Sequence, residues 1–220
     1  MKRAEKKILT LETRRREFTI ATLESIRKHG YINSTINTIS EESGLSRGLI
    51  SHYFKSKDDL LLFAFRYLTE LLEKFHRHVV SSWGGDSHFD KLLASSMVPF
   101  LREQPYREVW LHFWSAARLK PEVSEVHRRL WGNYRSSIER RITIVVQERN
   151  LNLNIRNTAL MYTQLIDGLW LGLILEEAYD DRTCRMILRD WLCEVFKEDP
   201  LKHSLDPPFD LAALQSYNTL

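Results

Sequence analysis

The side chains whose types and spacing could do chemistry lie in residues 34–57. Gly44 separates two short apolar-periodic stretches, Ser46 follows it, and Arg47 follows Ser46. A glycine can take the left-handed conformation that ends a helix. A serine at the next N-cap satisfies the first amides of the following helix, and that helix start can receive a phosphate. Ile36, Ile39, Leu45, Ile50 and Phe54 are the apolar anchors of the angle between the two helices. The positions left facing outward are Arg47, Gly48, Leu49, Ser51, His52 and Tyr53. Such an arginine can donate two hydrogen bonds to a guanine edge in a major groove. Gly48 lets the backbone approach closely and Leu49 can touch a thymine methyl, while Ser51, His52 and Tyr53 suit phosphates and Lys57 adds charge at the next helix start. The chemistry is recognition of a duplex. A packing corner with a polar surface is the competing reading; glycine, cap, basic residue and apolar anchors all falling in register favour recognition.

Helices must position these residues. Glycine and proline number only 8 and 6 in 220 residues, and no stretch alternates apolar and polar long enough for a sheet. The spacing predicts about nine helices. The first covers residues 13–29, ended by Gly30. The second covers 35–43, capped by Ser34, and the third covers 47–53, capped by Ser46. A fourth follows Ser56, with Asp59 at its third position as in a capping box, and runs to about Ser82. Further helices are expected over 87–103, from Pro105, and over 121–149, 154–179 and 180–197, followed by a loose tail after Pro200.

Composition narrows the function classes. Apolar residues make up 43% and charged residues 28%, ordinary for a globular protein. The net charge of +3 is unevenly spread. Residues 1–57 carry 12 Lys/Arg against 6 Asp/Glu, a balance of +6, and the remainder is slightly acidic at −3. A polyanion partner is therefore expected for the first quarter alone. The start of the chain lacks an apolar h-region, so no signal peptide is expected. The longest strongly apolar run, residues 169–175, is far short of the roughly 20 residues a membrane span needs. Cys184 and Cys193 on one helix would sit about 13 Å apart, too far for a disulfide, which fits a reducing cytoplasm. No metal-ligand spacing, cofactor motif or enzyme signature occurs, so metal, cofactor and catalysis are all expected to be absent.

Residues 39–61 resemble the N-terminal domain of the tetracycline-repressor (TetR) family. The Gly44-Leu45-Ser46-Arg47-Gly48 turn and the Tyr53-Phe54-x-x-Lys57 ending carry the match. It is strong over residues 14–62 and architectural beyond. The resemblance implies an all-α protein: a three-helix DNA-binding domain with a helix-turn-helix (residues 1–58), then a helical ligand-binding and dimerisation domain (59–220). It also implies that the helix after the turn enters the major groove while Lys57 meets phosphate. The candidate contacts with operator DNA are Arg14, Arg15, Thr35, Ser46, Arg47, Gly48, Leu49, Ser51, His52, Tyr53 and Lys57. Many family members carry tyrosine where Ser51 stands, a departure that weakens a phosphate contact there. The arm with Lys2, Arg3, Lys6, Lys7 and Arg14–Arg16 lies along the minor groove, simply neutralises phosphates, or is a disordered, solubilising tail.

The family pattern implies a homodimer on a palindromic operator. Leu160, Leu165, Leu169, Leu173, Ile187, Leu188, Trp191 and Phe196 supply apolar surface for a four-helix interface, with an internal core as the competing reading. A narrower resemblance joins Ser51-His52-Tyr53-Phe54, Trp110-Leu111-His112-Phe113-Trp114 and Ile166-Asp167-Gly168-Leu169-Trp170-Leu171 to the choline-responsive repressors of glycine betaine synthesis. It implies a quaternary-ammonium ligand, which needs aromatic faces within about 6 Å and a nearby acid. Trp114, Asp167 and Trp170 are the candidate contacts. Trp110, Trp131, Tyr134 and Tyr162 supply further faces, although aromatic residues at helical spacing also build cores. Two functions remain open: a ligand-responsive repressor, and a DNA-bound adaptor of the same fold that recruits a protein.

Overall fold

Sparse glycine and proline and a 3.6-residue apolar period leave the backbone little besides helix, and the computed structural model has that form. It describes residues 3–83, 85–176, 179–210, 212 and 214. Among them run α1 (Arg3–Asn33), α2 (Ile36–Ser43), α3 (Arg47–Tyr53), α4 (Lys57–Trp83), α5 (His88–Met97), α6 (Val109–Leu119), α7 (Pro121–Glu148), α8 (Ile155–Leu175) and α9 (Asp181–Phe196). Short 3-10 turns occupy Val98–Phe100 and Pro200–Lys202, and no strand occurs among the described residues.

Several boundaries differ from expectation for identifiable reasons. α1 begins ten residues early, because Ala4, Glu5, Lys6, Lys7 and Leu9 are good helix formers. Gly30, at φ 77° and ψ 166°, breaks it as expected of a left-handed position. Thr35, not Ser34, caps α2: its side chain accepts from the Thr38 amide while Thr38 Oγ1 accepts from the Thr35 amide. Ser34 instead turns inward and donates to the Gly30 carbonyl at 2.9 Å. α5 stops at Met97 rather than near 103, since Pro99 removes an amide from the continuing ladder. Pro105 opens no helix; it is buried in a turn beside Tyr106, whose φ is 50°, and α6 starts at Val109. α8 ends at Leu175, and Tyr179 folds back to donate to the Leu169 carbonyl at 3.2 Å. Among the described residues after Pro200, Leu205 and Leu214 are buried rather than loose.

The chain divides into two compact units. The first joins the described residues up to Glu70 with Tyr106–Arg128; the second joins Leu71–Pro105 with the described residues from Arg129 onward. In the first, Phe18, Ala21, Ile39, Ile50, Phe54 and Leu60 form the core under α2 and α3, with Ile36, Leu45, Leu49, Tyr53 and Phe63 packed on it. Phe65 stacks on Phe113 at 4.3 Å between ring centres. In the second, Phe75, Val79, Val80, Val98, Leu101 and Leu214 form one cluster. α9 lines the interior with Cys184, Leu188, Leu192, Cys193 and Phe196, and both cysteines are free thiols. Leu188 and Phe196 are fully enclosed. They are therefore core residues of their own chain and not the intersubunit surface expected of them.

Candidate nucleic-acid interface

The turn between α2 and α3 depends on two residues. Gly44 takes φ 65° and ψ 12° and its amide donates to the Glu41 carbonyl, closing α2. Ser46 accepts from the Leu49 amide and opens α3. α3 then has seven residues and one fully buried side chain, Ile50.

The face left outward is that of Arg47, Gly48, Ser51 and His52, all exposed. Leu49 and Tyr53, expected to point outward with them, are half-buried and pack against the core. The Tyr53 ring sits 5.7 Å from that of Phe18, and the His52 ring meets Tyr53 edge-on at 5.3 Å. Helical geometry explains this: Leu49 and Tyr53 are four residues apart and flank Ile50, so they share its side of the helix. Ser51 donates to the Arg47 carbonyl at 3.2 Å. Arg47 itself reaches across to α2, where its Nη1 donates to Asn37 Oδ1 at 3.1 Å.

Lys57 is half-buried at the start of α4, and its Nζ donates to the Ile32 carbonyl at 3.0 Å. An ammonium has three donors, so this bond leaves two for an anion. Ser56 accepts from the Asp59 amide as expected of the cap, but Asp59 accepts from the Lys55 amide, one residue before that cap, rather than closing the expected box on Ser56. Thr35 is exposed at the opposite end of α2. Arg14 is paired with Glu17 at 2.6 Å. Arg15 lies over the rings of Phe54 at 5.8 Å and Phe63 at 5.6 Å, which braces the core edge. Lys2 lies outside the described residues, as do the side chains of Arg3, Lys6 and Lys7.

The candidate ligand residues are divided between the units. Trp114 belongs to the first, its ring 6.5 Å edge-on from His127. Asp167 and Trp170 belong to the second. There the Trp131 indole donates to Asp167 Oδ2 at 3.2 Å, and burial raises the Asp167 carboxyl above its ordinary range against that bond. Trp170 is buried on the same helix. Sequence reasoning missed a neighbouring polar cluster. His76 Nε2 lies 2.8 Å from Ser95 Oγ, and its ring meets Tyr134 edge-on at 6.1 Å. Tyr162 donates to the Leu92 carbonyl at 2.9 Å. Burial pushes the Tyr134 and Tyr162 phenols well up. No local motif marks this cluster, because its members come from four helices.

Residues 20–63 match the family of bacterial regulatory proteins of the tetR type, and residues 92–197 match the BetI-type transcriptional repressor C-terminal domain. The chain is 34% identical over 166 residues to the HTH-type transcriptional regulator BetI of Stenotrophomonas maltophilia, covering 72% of this chain and 80% of that one. It is 29% identical over 187 residues to that of Ectopseudomonas mendocina, covering 81% and 91%. Among solved structures, a transcriptional regulator from Pseudomonas aeruginosa PAO1 is similar at a TM-score of 0.73 and 24% identity, covering 88% of this chain and 95% of that one. A regulator from Saccharomonospora viridis, solved in complex with choline, is similar at 0.73 and 23%, covering 82% and 96%.

Burial, with smaller contributions from Arg141 and Arg77, lowers His76 to about 4 from 6.5. The fold therefore holds the neutral ring. Its contribution is complete above pH 6.5, is lost as pH falls through that value, and levels off below about 4. The unfolding free energy should drop by up to about 3 kcal/mol over that window. Urea titrations at pH 7 and pH 4.5 should show a smaller drop for His76→Gln; an equal drop would assign the pH dependence to other groups.

Proposed function

Because the chain belongs to the TetR family and carries a BetI-type repressor C-terminal domain, we propose that it is a ligand-responsive DNA-binding repressor that acts as a dimer in the cytoplasm without catalysing a reaction. Residues 1–58 hold the operator and residues 59–220 carry regulation and dimerisation. The observation that carries this reading is the exposed Arg47 at the first position of a helix whose other side is locked into a core. Arg47 reads a guanine edge. Gly48 gives clearance, and Leu49 and Tyr53 contribute only their outer edges. Ser51, His52, Thr35, Ser46 and Lys57 hold phosphates, with Arg14 and Arg15 adding charge.

Dimerisation is supported by α8 and α9. α8 is long and apolar enough, by length and composition, to cross a membrane, although its strongly apolar run is short. Only one side of it is buried. Leu160 and Met161 stay 45% and 57% exposed, and on α9 Met186 and Ile187 are 42% and 38% exposed. A second copy covering these side chains accounts for them.

The ligand we assign is a quaternary ammonium of the choline class, the compound bound by the Saccharomonospora viridis regulator. Asp167 supplies the counter-charge, with Trp131, Tyr134 and Trp170 as ring faces on the same unit. Trp114 lies in the other unit and carries no part of this assignment. Ligand binding would shift the population away from the DNA-competent spacing.

Arg47→Ala should cost about 1–3 kcal/mol at one base position, measured on an operator selected from a random pool; unchanged base preference would refute the reading. Leu160→Glu combined with Ile187→Glu should give a monomer by sedimentation, and a persisting dimer would move the interface elsewhere. Calorimetry with choline should show binding that Asp167→Asn weakens at least about tenfold, the loss of roughly one charged contact. No heat, with no effect on operator release, would favour a DNA-bound adaptor.

A further inference from the structure

Arg47 is tethered, and its tether differs in charge from those of Arg14 and Arg27, which are held by carboxylates. Arg14 is held by the charged Glu17 carboxylate at 2.6 Å. Arg47 is held by the neutral amide oxygen of Asn37 at 3.1 Å, which orients the guanidinium and leaves its charge intact. One such bond uses one of five guanidinium hydrogens. Enough donors remain for a bidentate contact.

The anchoring amide is itself well placed. Asn37 is the second residue of α2, two residues after the Thr35 cap. Thr38, next to it, lies 2.8 Å from Ser25 Oγ on α1. Ser25 donates to Ser34 at 3.2 Å, and Ser34 donates to the Gly30 carbonyl. Ser25 and Ser34 are fully buried. A hydroxyl chain therefore ties the first turn of α2 to α1, and Asn37 extends from that turn towards α3. Without it, a long exposed side chain on a seven-residue helix would sample many rotamers.

We propose that Asn37 is a specificity-determining positioning residue that holds Arg47 for a base edge and keeps it from swinging onto a phosphate. The inference rests on Arg47 being the base reader. An arginine on a phosphate adds affinity without sequence information, whereas on a guanine it adds discrimination. The choice between the two is a matter of where the guanidinium is held.

A double-mutant cycle on the full chain tests this, with Asn37→Ala, Arg47→Ala and the pair measured on the selected operator, on base-substituted operators and on random duplex. Asn37→Ala should reduce discrimination about three- to tenfold, the loss expected of one exposed hydrogen bond. The loss should fall at the base position that Arg47→Ala also relaxes, with random-duplex affinity held or raised as the freed guanidinium reaches a phosphate. In the Arg47→Ala background, Asn37→Ala should change nothing. Asn37→Asp keeps the acceptor, so it should preserve discrimination while lowering total affinity. Unchanged discrimination in Asn37→Ala overturns the proposal. So does an equal loss with and without Arg47, which would make Asn37 an independent DNA contact. Parallel loss of thermal midpoint and of all DNA binding overturns it as well, marking a merely structural residue. If Arg47→Ala leaves every base preference intact, the base-reading assignment itself fails, an outcome distinct from the others.

Discussion

The recognition surface depends on one constraint: a seven-residue helix is too short to persist on its own. α3 exists because Ile50 is buried in its middle and Phe54 directly after it, in the core around Phe18, with Leu49 and Tyr53 leaning on the same cluster. What is exposed follows from what must be buried. Arg47, Gly48, Ser51 and His52 face outward because the remaining positions are needed to hold the helix down. Gly44 and Ser46 matter for the same reason. They satisfy the helix ends at the turn, so little of the packing energy is lost to unpaired amides and carbonyls. Stability and recognition share one short element, and few of its residues can change without affecting one or the other.

This part was legible in the sequence because its determinants are local. A left-handed glycine, a serine cap and apolar residues at helical spacing all act within a turn or two of where they stand. The errors were local too. Ser34 and Thr35 are equally good caps by type, and the choice between them was made by a distant partner. Ser34 turns inward because Ser25 and the Gly30 carbonyl wait there, which leaves Thr35 to close the box with Thr38. The place of Leu49 and Tyr53 on a reading helix suggests exposure, but their spacing from Ile50 puts them on the core side. Asn37 was invisible because an exposed asparagine on a helix carries no signal until its neighbour ten residues on is seen to reach it.

The second unit was less legible because its polar interior is assembled from a distance. His76, Ser95, Tyr134 and Tyr162 stand on α4, α5, α7 and α8, and none of them falls within a motif. Their burial is what matters. A hydroxyl or imidazole withdrawn from water must find a partner, and these groups find one another and the Leu92 carbonyl. Asp167 obeys the same rule through the Trp131 indole. A carboxyl raised by burial is also one that a cation would return to its ionised form. The chemistry of Asp167 thus agrees with a cationic ligand.

α8 raises the sharpest question of interpretation, because a helix apolar on more than one side suits a membrane, a core or a partner. Inward it presents Thr158, Ala159, Tyr162, Thr163, Ile166 and Trp170. Outward it presents Leu160, Met161 and Leu175 interleaved with Arg156, Asn157, Gln164 and Gly168, all exposed. Hydrocarbon would leave the amides of Asn157 and Gln164 unpaired at a cost of several kcal/mol each. A protein surface can pair them. Gly168 has open space where a side chain would stand, which lets a neighbouring backbone approach closely. The outward face therefore combines apolar area, pairable amides and one point of close approach, and a second copy of the chain meets all three demands where a lipid meets only the first.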